Sequence, residues 1–100
     1  MIKGNKVYLS IGSNIGDRES NIAQAISAIE VPRENYNLNS ASFYLTEPLY
    51  NTNQEFFINT VVGLDSELKP FEFLDLIKKI ENMLGRKKSR IKNMPRTIDI

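Results

Sequence analysis

The order of hydrophobic patterns in this 100-residue chain predicts an α+β domain of the split βαβ type, an antiparallel sheet with two helices on one face. Three observations carry that expectation. Two segments, Ile22 to Ile29 and Phe73 to Leu84, repeat apolar residues at helical spacing. Three others, about 6–11, 38–46 and 56–64, have alternating or β-branched and aromatic residues suited to strands. Glycine, proline and asparagine punctuate the gaps, and a further strand begins near Thr97.

The first strand is expected over Lys6–Ile11, where Val7, Leu9 and Ile11 alternate with Lys6, Tyr8 and Ser10. Gly12, Ser13, Asn14 and Gly16 read as a turn, after which Asp17 can cap a helix. Ile22, Ala25, Ile26 and Ile29 make that helix's apolar stripe, Pro32 ends it, and Glu30 to Asn37 reads as a loop. A second strand is expected over Leu38–Thr46, then a polar loop with Pro48 and two asparagines, then a third strand over Phe56–Leu64. Pro70 suits the first turn of a second helix, with Glu72 and Asp75 near its positive end. Phe73, Ile77, Ile80 and Leu84 form its stripe, and Gly85 is a natural stop. In this ferredoxin-like layout the fourth strand lies beside the first, so a chain that stops at residue 100 is expected to have an incomplete fourth strand.

Composition limits the chemistry. An apolar fraction of 41% and a charged fraction of 25% are those of an ordinary globular domain. With no cysteine and no histidine, disulfides, thiol nucleophiles and histidine acid–base chemistry are excluded within these residues. Catalysis here must use carboxylates, cations, metal ions and positioning. No apolar run approaches a membrane span and no signal peptide is visible, so a cytoplasmic location is expected.

Charge is unevenly placed. Residues 1–85 carry seven basic against eleven acidic side chains, whereas residues 86–100 carry six basic against one acidic. A local cationic segment points to an anionic ligand at one place, although a solvated basic loop explains a bare charge run more simply. Within it Arg96 precedes Asp99 by three residues, with Pro95 stiffening the approach. An arginine suits phosphate and an aspartate a divalent ion, the two partners of phosphoryl chemistry. A surface arginine followed by a strand with one exposed aspartate fits these residues equally well.

Five pieces, in order and at compatible spacing, resemble a known family. They are Tyr8 to Asp17 with its Gly-Ser-Asn turn, Ser42 to Leu49, Gln54 to Asn59, Ile80 to Arg86, and Lys92 to Ile100. Together they resemble the 6-hydroxymethyl-7,8-dihydropterin pyrophosphokinases of folate synthesis along the whole chain. The resemblance implies transfer of pyrophosphate from ATP to the pterin's hydroxymethyl oxygen, with release of AMP and two Mg²⁺ ions. It implies that Asp99 is the first of two metal aspartates and that Arg96, with Arg86 and Lys88, neutralises phosphate charge. Glu81 and Lys92 would line the nucleotide site beside Arg96 and Lys88. Gly12, Thr46, Leu49, Phe57 and Asn59 would form the pterin pocket, with Phe57 stacking on the ring and Gly12 letting backbone approach. Phe57 stands where a tyrosine is common in the family, and Met94, Asn93 and Lys88 also depart from its usual pattern.

The same resemblance implies ATP and the pterin as partners, a monomer, and no nucleic acid or membrane. Because Gly85 ends the second helix and residues 86–95 lack an apolar period, a loop is expected there that is mobile without ATP and ordered with it. The resemblance further implies that residues 1–100 are one domain, the N-terminal part of such an enzyme, inactive without a second aspartate beyond residue 100. The alternative on the same fold is a nucleic-acid-binding module using the 86–96 basic segment. Its aromatic RNA-recognition signature is missing from Phe56 to Val62.

Overall fold

The computed structural model describes residues 4–47, 55–85 and 98–100. In chain order the elements are β1 (Asn5–Ser13), α1 (Arg18–Glu30), β2 (Asn35–Ser40), β3 (Tyr44–Thr46), β4 (Phe57–Ser66) and α2 (Pro70–Met83). β4 is the organising strand. It pairs antiparallel with β1 along its length, from Asn5↔Ser66 to Ser13↔Ile58. On its other side it pairs with β2 and then β3, both antiparallel. The last residues lie against the free side of β1, where Gly12 and Asp99 exchange two backbone hydrogen bonds of 2.7 Å each. β1 is therefore interior, as the α+β split βαβ arrangement requires.

Strand alternation sets the core. Ile58, Thr60, Val62, Leu64 and Ser66 of β4 are buried on one face. Ile11 of β1, Ile22, Ala25 and Ile29 of α1, and Phe73, Ile77 and Ile80 of α2 complete a single cluster with Ile98. Both helical stripes read from the sequence thus pack on the same sheet face, which fixes the two-layer architecture.

Local chemistry marks the helix ends. Asp17 accepts the Ser20 amide N–H through Oδ1 at 3.1 Å and caps α1. Past its other end, Asn35 donates through Nδ2 to the Ile29 carbonyl at 2.8 Å. Ser66 in turn donates to Asn35 Oδ1 and accepts the Leu68 amide, which ties β2 and β4 to the approach to α2. Glu72 accepts the Lys69 amide at 2.8 Å beside Pro70 at the start of α2. Beyond α2, Gly85 takes φ +95°, a left-handed conformation suited to glycine.

Four expected boundaries are corrected. β1 continues through Gly12 and Ser13, so Gly12 belongs to a strand and not to a turn; pairing from both sides, by Asn59 and Asp99, extends it. β2 begins at Asn35, inside the expected loop, because Asn35 and Tyr36 pair with Ser66 and Asp65. The expected second strand is two strands, broken at residues 41–43. There Ala41 donates its amide to the Val61 carbonyl at 2.9 Å and accepts from Thr60 Oγ1 at 2.7 Å. β4 likewise runs over 57–66 and not 56–64. Among the described residues no helix is long and apolar enough to cross a membrane.

Candidate active site

The helix-free face of the sheet gathers the described candidate residues of the strands, Gly12, Thr46, Phe57, Asn59 and Asp99, while Glu81 stands on α2. Cα partners on neighbouring strands project to the same face, and the registers Tyr44↔Asn59, Asn59↔Gly12 and Gly12↔Asp99 are continuous. These four residues therefore form one row across the sheet, on the face opposite the core residue Ile58. Phe57 and Thr46 are paired in the adjacent row. Residues 44, 46, 57, 59, 12 and 99, scattered through the sequence, share one surface.

Asn59 is the hub of this surface. Its Nδ2 donates to Thr46 Oγ1 at 2.7 Å and lies 3.4 Å from the Phe57 carbonyl. Its Oδ1 sits over Gly12, so close that a Cβ on Gly12 would meet it at 2.6 Å, with the Phe57 ring at 3.3 Å. Gly12 thus makes room for two side chains of the face. Phe57 and Asn59 are partly buried while Thr46 and Tyr44 are exposed, so the cluster is backed by the sheet and open to a ligand.

Asp99 enters this face through its backbone bonds to Gly12, while its neighbour Ile98 is fully buried among the core side chains. Burial of Ile98 on one face directs Asp99 to the other. Glu81, near the end of α2, accepts the Ile100 amide through Oε2 at 3.2 Å. The structure thus brings Glu81 to the strand that bears Asp99. One hard carboxylate oxygen donor suits Mg²⁺, which keeps several waters and takes one or two protein carboxylates. Among the described residues no cluster of three such ligands occurs.

Five candidates, Leu49, Arg86, Lys88, Lys92 and Arg96, lie outside the described residues, as does the expected loop over 86–95. Tyr44 was not singled out from the sequence as a site residue. Its signal was available in strand alternation, which puts it on the face of Thr46, but the register that aligns it with Asn59 is non-local.

Comparison with known proteins matches the sequence of the chain to a family. The model of the 7,8-dihydro-6-hydroxymethylpterin-pyrophosphokinase (HPPK) family matches residues 8–100. The 2-amino-4-hydroxy-6-hydroxymethyldihydropteridine pyrophosphokinase of Bacillus subtilis is 38% identical over 96 residues, covering 96% of this chain and 57% of that protein. The Porphyromonas gingivalis protein of the same name is 44% identical over 80 residues, covering 80% of this chain and 54% of its own length. A folate synthesis bifunctional protein of Arabidopsis thaliana is 33% identical over 100 residues, 95% of this chain and 19% of that protein. The chain spans little more than half the length of the two bacterial relatives. With the match running from β1 through Asp99, the chain belongs to the 7,8-dihydro-6-hydroxymethylpterin-pyrophosphokinase family.

Proposed function

We propose that the full-length gene product transfers pyrophosphate from ATP to the hydroxymethyl oxygen of 6-hydroxymethyl-7,8-dihydropterin, with Asn59, Thr46, Phe57 and Gly12 holding the ring and Asp99 serving the phosphates. The substrate oxygen attacks the β-phosphorus of ATP, the bond to the α–β bridging oxygen breaks, AMP leaves, and the hydroxyl proton passes to solvent. Such a transfer needs little covalent help from the protein; positioning and charge neutralisation supply most of the acceleration. That suits a segment without histidine or cysteine.

The observation that carries this reading is the row Tyr44–Asn59–Gly12–Asp99. Two strand spacings, roughly 10 Å, separate the backbones of Asn59 and Asp99. That is comparable to the distance from the pyrimidine edge of a pterin to its exocyclic hydroxyl. A ring read at Asn59 would then present its reacting oxygen near Asp99. The Phe57 side chain offers an aromatic face, and the Asn59 amide offers both a donor and an acceptor for the polar edge. Asp99 would hold Mg²⁺, which when bound neutralises charge on the phosphate oxygens. Arg96, Arg86, Lys88, Lys92 and Glu81 would surround the nucleotide, and Leu49 would complete the ring pocket. Family membership leaves the nucleic-acid-binding alternative without separate support.

The test is AMP formation from ATP and the hydroxymethylpterin by the wild-type protein and by Asp99→Ala. The variant is expected to lose on the order of 10²–10³ in turnover, as when one preorganised charge stabiliser is removed. Its thermal midpoint should stay near wild type, because the bridge to Gly12 uses only backbone atoms. Turnover within a few-fold of wild type would remove Asp99 from the machinery.

A further inference from the structure

We infer that Arg18 is a positioning residue for the pterin pocket: from the first turn of α1 it holds the backbone that carries Phe57 and Asn59. The inference rests on the pterin-pocket reading above and adds a residue to it. Arg18 Nη1 donates to the Phe56 carbonyl at 2.7 Å. Beside it, Asn14, buried between β1 and α1, donates through Nδ2 to the Glu55 carbonyl at 3.3 Å. These are consecutive carbonyls, and they immediately precede the first residue of β4.

Three features make this more than a surface contact. The Phe56 carbonyl and the Phe57 amide belong to one rigid peptide plane, so a fixed oxygen holds the start of the Phe57 backbone from which its side chain springs. Phe57 also needs such support. Its ladder partner is Thr46 on one side, whereas β1 pairs with β4 only as far as Ile58. Finally, Arg18 is the first residue of α1, where the helix dipole favours an anion. It forms no ion pair among the described residues. A cation at a position that disfavours it, aimed at a neutral carbonyl across 38 residues of sequence, fits a role in placing the pocket and not in stabilising its own helix. The clamp joins the segment Asn14 to Arg18, between the end of β1 and the start of α1, to the strand bearing Phe57 and Asn59, so one short segment supports the pocket at two points.

The experiment compares wild type, Arg18→Ala and Arg18→Lys in the full-length gene product. It measures affinity for 6-hydroxymethylpterin, affinity for MgATP, the thermal midpoint, and amide hydrogen exchange in the ligand-free protein. Arg18→Ala is expected to weaken pterin binding about tenfold while MgATP affinity stays within about twofold, since misplacement of a positioned group acts on the ligand it contacts. Exchange should accelerate at residues 55–58 and not across the core, and Arg18→Lys should recover part of both effects. Pterin affinity unchanged in Arg18→Ala overturns the inference. So does parallel loss of pterin and MgATP binding with a lowered thermal midpoint, which marks a general structural role. A wild-type protein that binds no hydroxymethylpterin overturns the functional reading instead. The exchange measurement alone then decides the clamp, and unaltered exchange at 55–58 overturns it.

Discussion

Ile58, Thr60, Val62, Leu64 and Ser66 point from β4 into the helix-packed core, whereas Phe57, Asn59, Val61, Gly63 and Asp65 face away from it. The two sets share one backbone and one register, yet their surroundings differ in kind. The first set meets the stripes of α1 and α2 in a single apolar cluster. The second keeps partly exposed aromatic, amide and carboxylate groups, whose hydrogen bonds run mainly to residues of neighbouring strands. A strand can therefore carry stability on one face and recognition on the other, because side-chain direction alternates while the backbone bonds serve both. Substitutions on the two faces should separate cleanly into losses of folding and losses of binding.

The largest effect on folding belongs to the core face. Leu64→Ala removes a side chain that is 2% exposed and packed in the common cluster. A destabilisation of about 2–5 kcal/mol is expected from the lost burial and the residual cavity. Denaturant unfolding measures it, and pterin affinity of the folded fraction should stay near wild type. A selective loss of pterin binding with unchanged stability would break the division between faces.

Gly12→Ala probes the other face. The added Cβ would meet Asn59 Oδ1 at 2.6 Å and the Phe57 ring at 3.3 Å. Both obstacles are side chains, so the fold can accommodate the methyl by turning Asn59 away. The bond from Asn59 to Thr46 would then be lost, with a weakening of pterin binding by about tenfold, the equivalent of one net hydrogen bond. The unfolding midpoint should change little. Wild-type affinity in this variant would show that Asn59 need not hold its present orientation.

The smallest effect lies at the far end of the same face. The Asp65 carboxyl is held below its ordinary value of 3.8 by the Asn37 amide and by the Lys6 ammonium. A carboxyl with a lowered folded-state pKa stabilises the fold above its unfolded-state pKa, and that contribution fades as pH falls through the folded-state value. Asp65→Asn should therefore leave a slightly flatter acid limb in the stability profile below about pH 4, with pterin affinity unaffected. An unchanged acid limb would remove Asp65 from the groups that couple stability to pH.

How much of this was legible in the sequence follows from which contacts are local. The stripes Ile22–Ala25–Ile29 and Phe73–Ile77–Ile80 read directly as buried faces because helical periodicity is written in neighbouring residues. Asp17 and Glu72 were legible as helix-start signals for the same reason. The break at residues 41–43 was not. It depends on the Thr60 hydroxyl reaching the Ala41 carbonyl, a contact set by pairing across 19 residues. Phe57 and Asn59 could be placed on one face by alternation, and the family resemblance named their partners. Their alignment with Gly12 and Asp99 came only from inter-strand register. Arg18 carried no functional signal in the sequence, since its carbonyl partner is an atom that every residue type possesses.

The most direct test of the division between faces is calorimetric titration of Asn59→Ala with 6-hydroxymethylpterin, paired with denaturant unfolding of the same sample. The substitution removes the hub of the helix-free face and leaves the core face intact. Pterin affinity should fall by at least about tenfold while stability changes by no more than about 1 kcal/mol, the net value of one partly exposed hydrogen bond. Wild-type affinity, or a loss of several kcal/mol of stability in step with the loss of binding, would contradict the assignment of recognition to this face.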